Sequence, residues 1–257
     1  MAEIANRIQM ATRFQSRMDR LNRQQAGEFR RLLGVPPDPK RVPQSFWDRV
    51  AKEQQDEAAA LLLLIFLLSY DTHRYARDDE APPKENPRRD KAAERWAANR
   101  SVTLAKEWKK HSLDIVNEKG QAWEVKSKEG ADIVKRDVDE LVNRIFGPSR
   151  SRAMAYHETQ QAMVSGGESG VKHLGIKVTR YWAHSKYRPP GHSHAAKMPC
   201  PVCTELEGKP EHQWKGIKPP SHPHCDCYVV YVDQDGFLVG PGDPGSAPGV
   251  AWKRRQP

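Results

Sequence analysis

Apolar residues recur at three- and four-residue steps from the first positions onward. Ile4, Ile8, Ala11, Phe14, Met18 and Leu21 follow that spacing, which gathers them on one side of a helix. We expect a helix over 3–33. Its opposite face carries Arg7, Arg13, Arg17, Arg20 and Arg23, as a solvated face or as a contact for an acidic partner or nucleic acid. Gly34-Val-Pro-Pro-Asp-Pro39 stops the helix, since proline lacks the amide and clashes with the preceding turn. A second helix is expected from Ser45, whose hydroxyl is placed to cap it with Asp48 three residues on, to about Arg77. Within it, Ala58 to Leu68 is apolar on every side and so needs cover on every side. In a chain with little other core, a neighbouring subunit is expected to supply that cover. The run has 11 residues, short of the roughly 20 that span a bilayer, so no membrane role is expected.

Residues 78–90 combine three prolines with mostly charged neighbours and read as a linker. Helix resumes at about 91–110, with Trp96, Leu104 and Trp108 as buried candidates. Over 112–128 the pattern fits either a hairpin turning at Glu118-Lys-Gly-Gln121 or a kinked helix. Val134, Val138, Leu141 and Ile145 line one face of a helix over 132–146, ended by Gly147-Pro148. Ser149 is placed to cap a further helix over 150–164, with Gly166-Gly167 as its stop. Alternation then predicts strands at Ile176–Trp182 and Cys227–Val232, the latter turning at Asp235-Gly236 into Phe237–Val239. The segment from Gly240 is rich in Gly, Pro and Ser and is expected to be a disordered tail. The expected fold class is α+β: long helices over the first two-thirds and a small zinc-stabilised β-hairpin module at the C-terminus. The expected division is a partner-binding helical region over 1–77, the linker, a domain over 91–239 with the metal module at 198–239, and the tail over 240–257.

Composition sharpens this. Only 37% of the 257 residues are hydrophobic, and the mean hydropathy is −0.81. Helices around modest cores fit better than one large globule. A net charge of +9 and a pI near 9.4 draw the chain to polyanions or an acidic protein surface.

The cysteines carry the most chemistry. All four fall within 200–227, as Cys200-Pro-Val-Cys203 and Cys225-Asp-Cys227, with Pro219-Pro-Ser-His-Pro-His224 between the pairs. Thiols at i and i+3 aim at one tetrahedral ion, and a second close pair completes four ligands. Two disulfides or four separate buried thiols are the alternatives. Met1-Ala-Glu-Ile4 runs into a charged helical pattern without the form of a signal peptide. A reducing cytosol, which favours metal over disulfide, is therefore expected. Cys225 and Cys227 project to the same face of a strand; both ligate, or His222 ligates with one of them. Nothing marks an open coordination position beside a general base, so the expected ion is structural zinc held by Cys200, Cys203, His222, Cys225 and Cys227 or four of these.

Other motifs weaken on inspection. His157-Glu158 begins like a zinc-protease helix, but Gln161 stands where the second histidine belongs. Glu124-Val-Lys126, with Asp114, resembles half of a metal-dependent nuclease site. Gly191-His-Ser-His194 reads as an exposed polar loop. No phosphate-cradling glycine loop or serine triad occurs.

Three blocks in order resemble the phage head morphogenesis family, the Mu F-like minor head (minor capsid) proteins. They are Arg152-Ala-Met-Ala-Tyr-His-Glu-Thr159, Arg180-Tyr-Trp182, and Cys200-Pro-Val-Cys203-Thr-Glu-Leu-Glu-Gly-Lys209 followed by Pro219-Pro-Ser-His-Pro-His-Cys-Asp-Cys227. The last is the specific part, and the likeness spans residues 132–232. His157 and the long His- and Pro-rich stretch between Trp182 and Cys200 depart from the family's usual form. The resemblance implies a virion component and not an enzyme, located in the head interior or at the portal vertex, and in the host cytoplasm during assembly. It implies multiple copies that associate with the portal protein and other capsid components, with packaged DNA as a further partner. The alternatives are a zinc-stabilised nucleic-acid-binding protein and a metal-dependent nuclease.

Overall fold

The computed structural model describes residues 2–75, 86–130, 132–184, 201–221 and 227–240. The described chain is mainly helical, with a three-stranded antiparallel sheet toward the C-terminus. The elements are α1 (Ala2–Leu33), α2 (Gln44–Arg74), α3 (Pro87–Lys128), α4 (Lys135–Phe146), α5 (Pro148–Leu174), β1 (Val178–His184), α6 (Pro201–Leu206), β2 (Cys227–Asp233) and β3 (Leu238–Val239). The chain divides into two compact units, neither continuous in sequence. A helical unit holds Thr12–Leu61 and Ala97–Ala155; a sheet unit holds Met1–Ala11, Leu62–Trp96 and Tyr156–Pro257.

In the helical unit, Phe14 and Met18 of the predicted stripe of α1 are buried and Leu21 is half-buried; the buried face continues through Ala26, Phe29 and Leu33, beyond the predicted positions. Phe29 packs its ring against Phe46, Trp47 and Phe146 at centroid distances of 5.9, 5.5 and 5.6 Å. Trp47 meets Trp108 at 6.4 Å. Polar residues interrupt the stripe at Asn22 and Gln25, and each has a partner. Asn22 donates to Ser151 Oγ at 2.8 Å, and Gln54 donates to Asn22 and Gln25 at 2.7 and 3.0 Å. Arg150, without a carboxylate partner among the described residues, spans the Trp108 and Ile145 carbonyls and Ser112 Oγ at 3.0–3.2 Å. Burial pushes its guanidinium down to about 10.

Several expectations are corrected. Of the two alternatives for residues 112–128, the hairpin is not formed: the helix of α3 runs through them, because Trp108, Ile115, Val116 and Trp123 continue one buried stripe. The Gly120 position is no breaker; a Cβ there would meet only Pro39 at 3.6–3.8 Å. The linker is shorter than expected, since Pro87 to Asp90 already belong to α3. Proline suits a first helical turn, whose amides lack partners anyway. Residues 78–85, and all of the expected tail after Gly240, lie outside the described residues. As with Pro87 in α3, α5 opens at Pro148 rather than behind a Ser149 cap. In the apolar run on α2 the chain itself buries Ala58, Leu61, Leu62, Ile65 and Phe66, while Ala60 is exposed and Leu64 is 48% exposed.

The larger correction concerns α5, which passes through Gly166-Gly167 to Leu174. Those glycines serve close approach, not termination. A Cβ on Gly166 would strike the Phe66 carbonyl, and one on Gly170 would lie 2.5 Å from the Tyr70 carbonyl. Backbone therefore packs on backbone where α5 meets α2 within the sheet unit. Ser69 Oγ closes the crossing by donating to the Met163 carbonyl at 2.6 Å. His73 lies in the same seam, edge-on to Tyr231 at 5.4 Å, with its Nδ1–H donating to the Ser69 carbonyl at 2.8 Å. Burial drives its pKa down to about 4.

The sheet order is β1-β2-β3. The expected hairpin is one edge of this sheet: β2 pairs with β3 through Tyr231↔Val239, and with β1 from Val178↔Asp233 to His184↔Cys227. The turn is set by Asp233, whose carboxylate accepts from the Asp235 and Phe237 amides at 3.0 and 2.8 Å. Being central, β2 is buried on both faces. Cys227, Val229 and Tyr231 join one cluster, and Val230 and Val232 another.

Candidate metal centre

The site is built on β1, α6 and β2 of the sheet unit. Pro201–Leu206 coils into α6 and buries Cys203 and Leu206. Gly208 then takes φ +75°, a left-handed conformation that glycine adopts without steric penalty. This reverses the chain onto the open edge of β1. The Gly208 amide donates to the Trp182 carbonyl at 2.8 Å, and the Trp182 amide donates to the Lys209 carbonyl at 3.0 Å. The Lys209 carbonyl also accepts the Trp214 indole N–H at 2.7 Å. Trp214 and Trp182 stack edge to face at 5.5 Å. Arg180 fixes the following turn by a two-pronged ion pair with Glu211 at 2.9 and 3.0 Å. The Gly208-Lys209 step is thus a backbone clasp on β1.

Both described cysteines end in one buried cluster with Trp182, Leu206, Trp214 and Val229. Cys203 and Cys227 are 2% and 0% exposed and are not joined to each other as a disulfide. Cys203 Sγ lies 3.8 Å from Ser221 Oγ, the residue before His222. At the other end of that loop, Gln160 Nε2 on α5 donates to the Cys227 carbonyl at 2.5 Å. Cys200, His222 and Cys225 lie outside the described residues. Among the described residues no three His, Cys, Asp or Glu side chains gather as a metal site. The donor chemistry fits a structural zinc. Two thiols from opposite ends of the motif join one buried cluster, and thiols are the donors that a structural zinc takes.

Gly208 and Ser221 enter the sequence reading only as members of the quoted blocks, and Gln160 does not enter it. Gln160 lies in a run of α5, Glu158 to Gln160, in which every residue is at most 1% exposed. Such residues are kept for a partner.

The nuclease arrangement is not assembled. Asp114 and Glu124 lie ten residues apart on α3, about 15 Å along the axis, too far to share an ion. Glu124 pairs instead with Lys40 at 2.5 Å, which holds its carboxyl below the usual range. Lys126 pairs with Asp137 at 2.7 Å, and Asp137 also accepts the Val134 amide at the start of α4. His157-Glu158 lies within α5, and Gly191–His194 falls outside the described residues. No helix among the described residues is long and apolar enough to cross a membrane. Comparison of the chain with protein-family models, with characterised proteins and with solved structures finds no match to any of them.

Proposed function

We propose that the chain is a structural minor head protein of a tailed bacteriophage. It would dock on the portal and the capsid interior during assembly, with a zinc-stabilised C-terminal module and no catalytic role. One observation carries the reading. Two of the three sequence blocks behind the resemblance, separated along the chain, serve one small structure; the third, Arg152–Thr159, lies on α5. Arg180 and Trp182 lie on β1, Gly208-Lys209 clasps that strand, and Cys203 and Cys227 share the cluster beneath it. In this reading zinc cross-links α6 to the start of β2, supplying cohesion that a small sheet lacks. Cys203 and Cys227 would hold it together with Cys200, Cys225 or His222.

Metal analysis of the full chain tests the module. About one zinc per chain is expected, in keeping with one four-ligand site. Cys203→Ser and Cys227→Ser should each lose it, along with the near-ultraviolet signal of Trp182 and Trp214, while helical content stays. A chain that purifies without zinc and keeps that signal removes the metal reading. The head role is tested with Leu64→Asp, which alters an exposed apolar residue; Leu62 is fully buried and its replacement would report on folding. Loss of Leu64→Asp chain from purified heads, with its fold retained, is the expected result. Heads that never contain the wild-type chain exclude the role.

A further inference from the structure

Every exposed residue of α1 from Thr12 to Arg31 is either arginine or uncharged: Arg13, Arg17, Arg20, Arg23, Arg30 and Arg31 among Thr12, Ser16, Gln24 and Gly27. The helix holds no lysine. Its acids in this stretch face elsewhere. Asp19 is half-buried and bonded to Gln15, and Glu28 is bonded to Arg49. Arg17 and Arg30 each reach a carboxylate, of Glu57 and Asp139. Arg13, Arg20, Arg23 and Arg31 have none within ion-pair distance among the described residues. Several other cations of the helical unit are matched: Arg49 with Glu28 and Glu53, Lys119 with Glu140, and Arg144 with Glu118.

Steps of three and four residues place like charges side by side and destabilise a helix. The ridge therefore works against the isolated chain and is relieved by an external polyanion. Arg13 and Arg31 are 18 residues apart, about 27 Å along a straight helix. Guanidinium groups present planar forks that match phosphate oxygens. We propose that this face of α1 docks double-stranded DNA through its phosphates, without reading sequence. The ridge lies outside the residues that carry the family resemblance, so the proposal stands apart from the head-protein reading.

The test is binding of the full chain to a fluorescent DNA duplex of arbitrary sequence across a salt series. Binding should weaken steeply with salt as counterions are released. Replacing Arg13, Arg20, Arg23 and Arg31 together by Gln should lower affinity at about 0.15 M salt by ten-fold or more and flatten the log–log salt slope by about 3.6. Replacing the exposed Lys106, Lys110, Lys128 and Arg136 by Gln removes the same charge and should have a much smaller effect. If the ridge variant loses helix content, Arg13→Gln and Arg31→Gln singly should each reduce the slope by about 1. Equal loss in ridge and control variants, wild-type binding insensitive to salt, or no binding at all overturns the proposal. A chain that ignores DNA but binds polyglutamate overturns it in favour of an acidic protein partner.

Discussion

The two units are stabilised by different means. The helical unit has a continuous aromatic core, with Phe29, Phe46, Trp47, Trp108 and Phe146 in mutual ring contact. Its cohesion is spread over many side chains from four helices. The sheet unit buries several smaller clusters and adds particular contacts: glycine notches under α2, a neutral histidine in the seam, one backbone clasp on β1 and two buried thiols. A distributed core tolerates change at its edges. A unit of small clusters joined by particular contacts is expected to be sensitive at each of those contacts, for reasons specific to it.

The largest expected effect is in the distributed core. Trp47→Ala should cost about 3–5 kcal/mol in urea unfolding, the usual range for deleting a buried aromatic ring. A metal chelator should leave that loss unchanged. If it deepened the loss, the helical unit would share the metal dependence proposed for the sheet unit, and the contrast would fail.

Next is a pH dependence located in the sheet unit. His73 is buried with its pKa lowered to about 4, against about 6.5 in an unfolded chain. Above pH 6.5 both states are neutral, and the full stability is present. As pH falls from 6.5 toward 4 the unfolded state takes up a proton that the folded state refuses, so stability falls. The drop should approach about 3 kcal/mol by pH 4. His73→Gln should flatten this window. A wild-type profile level between pH 7 and 4.5 would show that the ring is hydrated in solution.

The two units also differ in how much of them the sequence reveals. Regular periodicity announced α1 and α4, because in those helices burial follows the 3.6-residue repeat, and an unbroken apolar run announced α2. It also announced β1 and β2, whose apolar runs end in turn residues. Residues 112–128 were ambiguous because Gly120 is a breaker only when something else favours a turn, and the stripe through Ile115 and Trp123 does not. Gly166-Gly167 misled for a related reason. A glycine pair signals either an end or a close crossing, and only the Phe66 and Tyr70 carbonyls decide between them. At the candidate site, the cysteine spacing was legible. The clasp at Gly208-Lys209 and the bond from Gln160 to the Cys227 carbonyl depend on residues many positions apart, which no local pattern encodes.

That crossing gives the next effect in size. Gly166→Ala should destabilise by about 1–3 kcal/mol, the range for overpacking. The added methyl meets the Phe66 carbonyl and lies 3.1 Å from Ser69 Cβ, and backbone cannot step aside as a side-chain tip can.

The smallest effect carries the opposite sign, which makes it the sharpest control. Gly27 also lies inside a helix, α1, but it is exposed, and a Cβ added there would meet no atom within 4 Å. There the only change is in backbone freedom: alanine loses less conformational entropy on entering a helix than glycine does. Gly27→Ala should therefore stabilise the chain by about 0.5–1 kcal/mol. Thermal or urea unfolding of the two alanine variants side by side reads the sign directly. Should Gly166→Ala also stabilise, the close packing of α5 on α2 would be absent in solution, and the glycines would mark a loosely held helix. Should Gly27→Ala destabilise, α1 would be contacted there by something its exposed surface does not reveal.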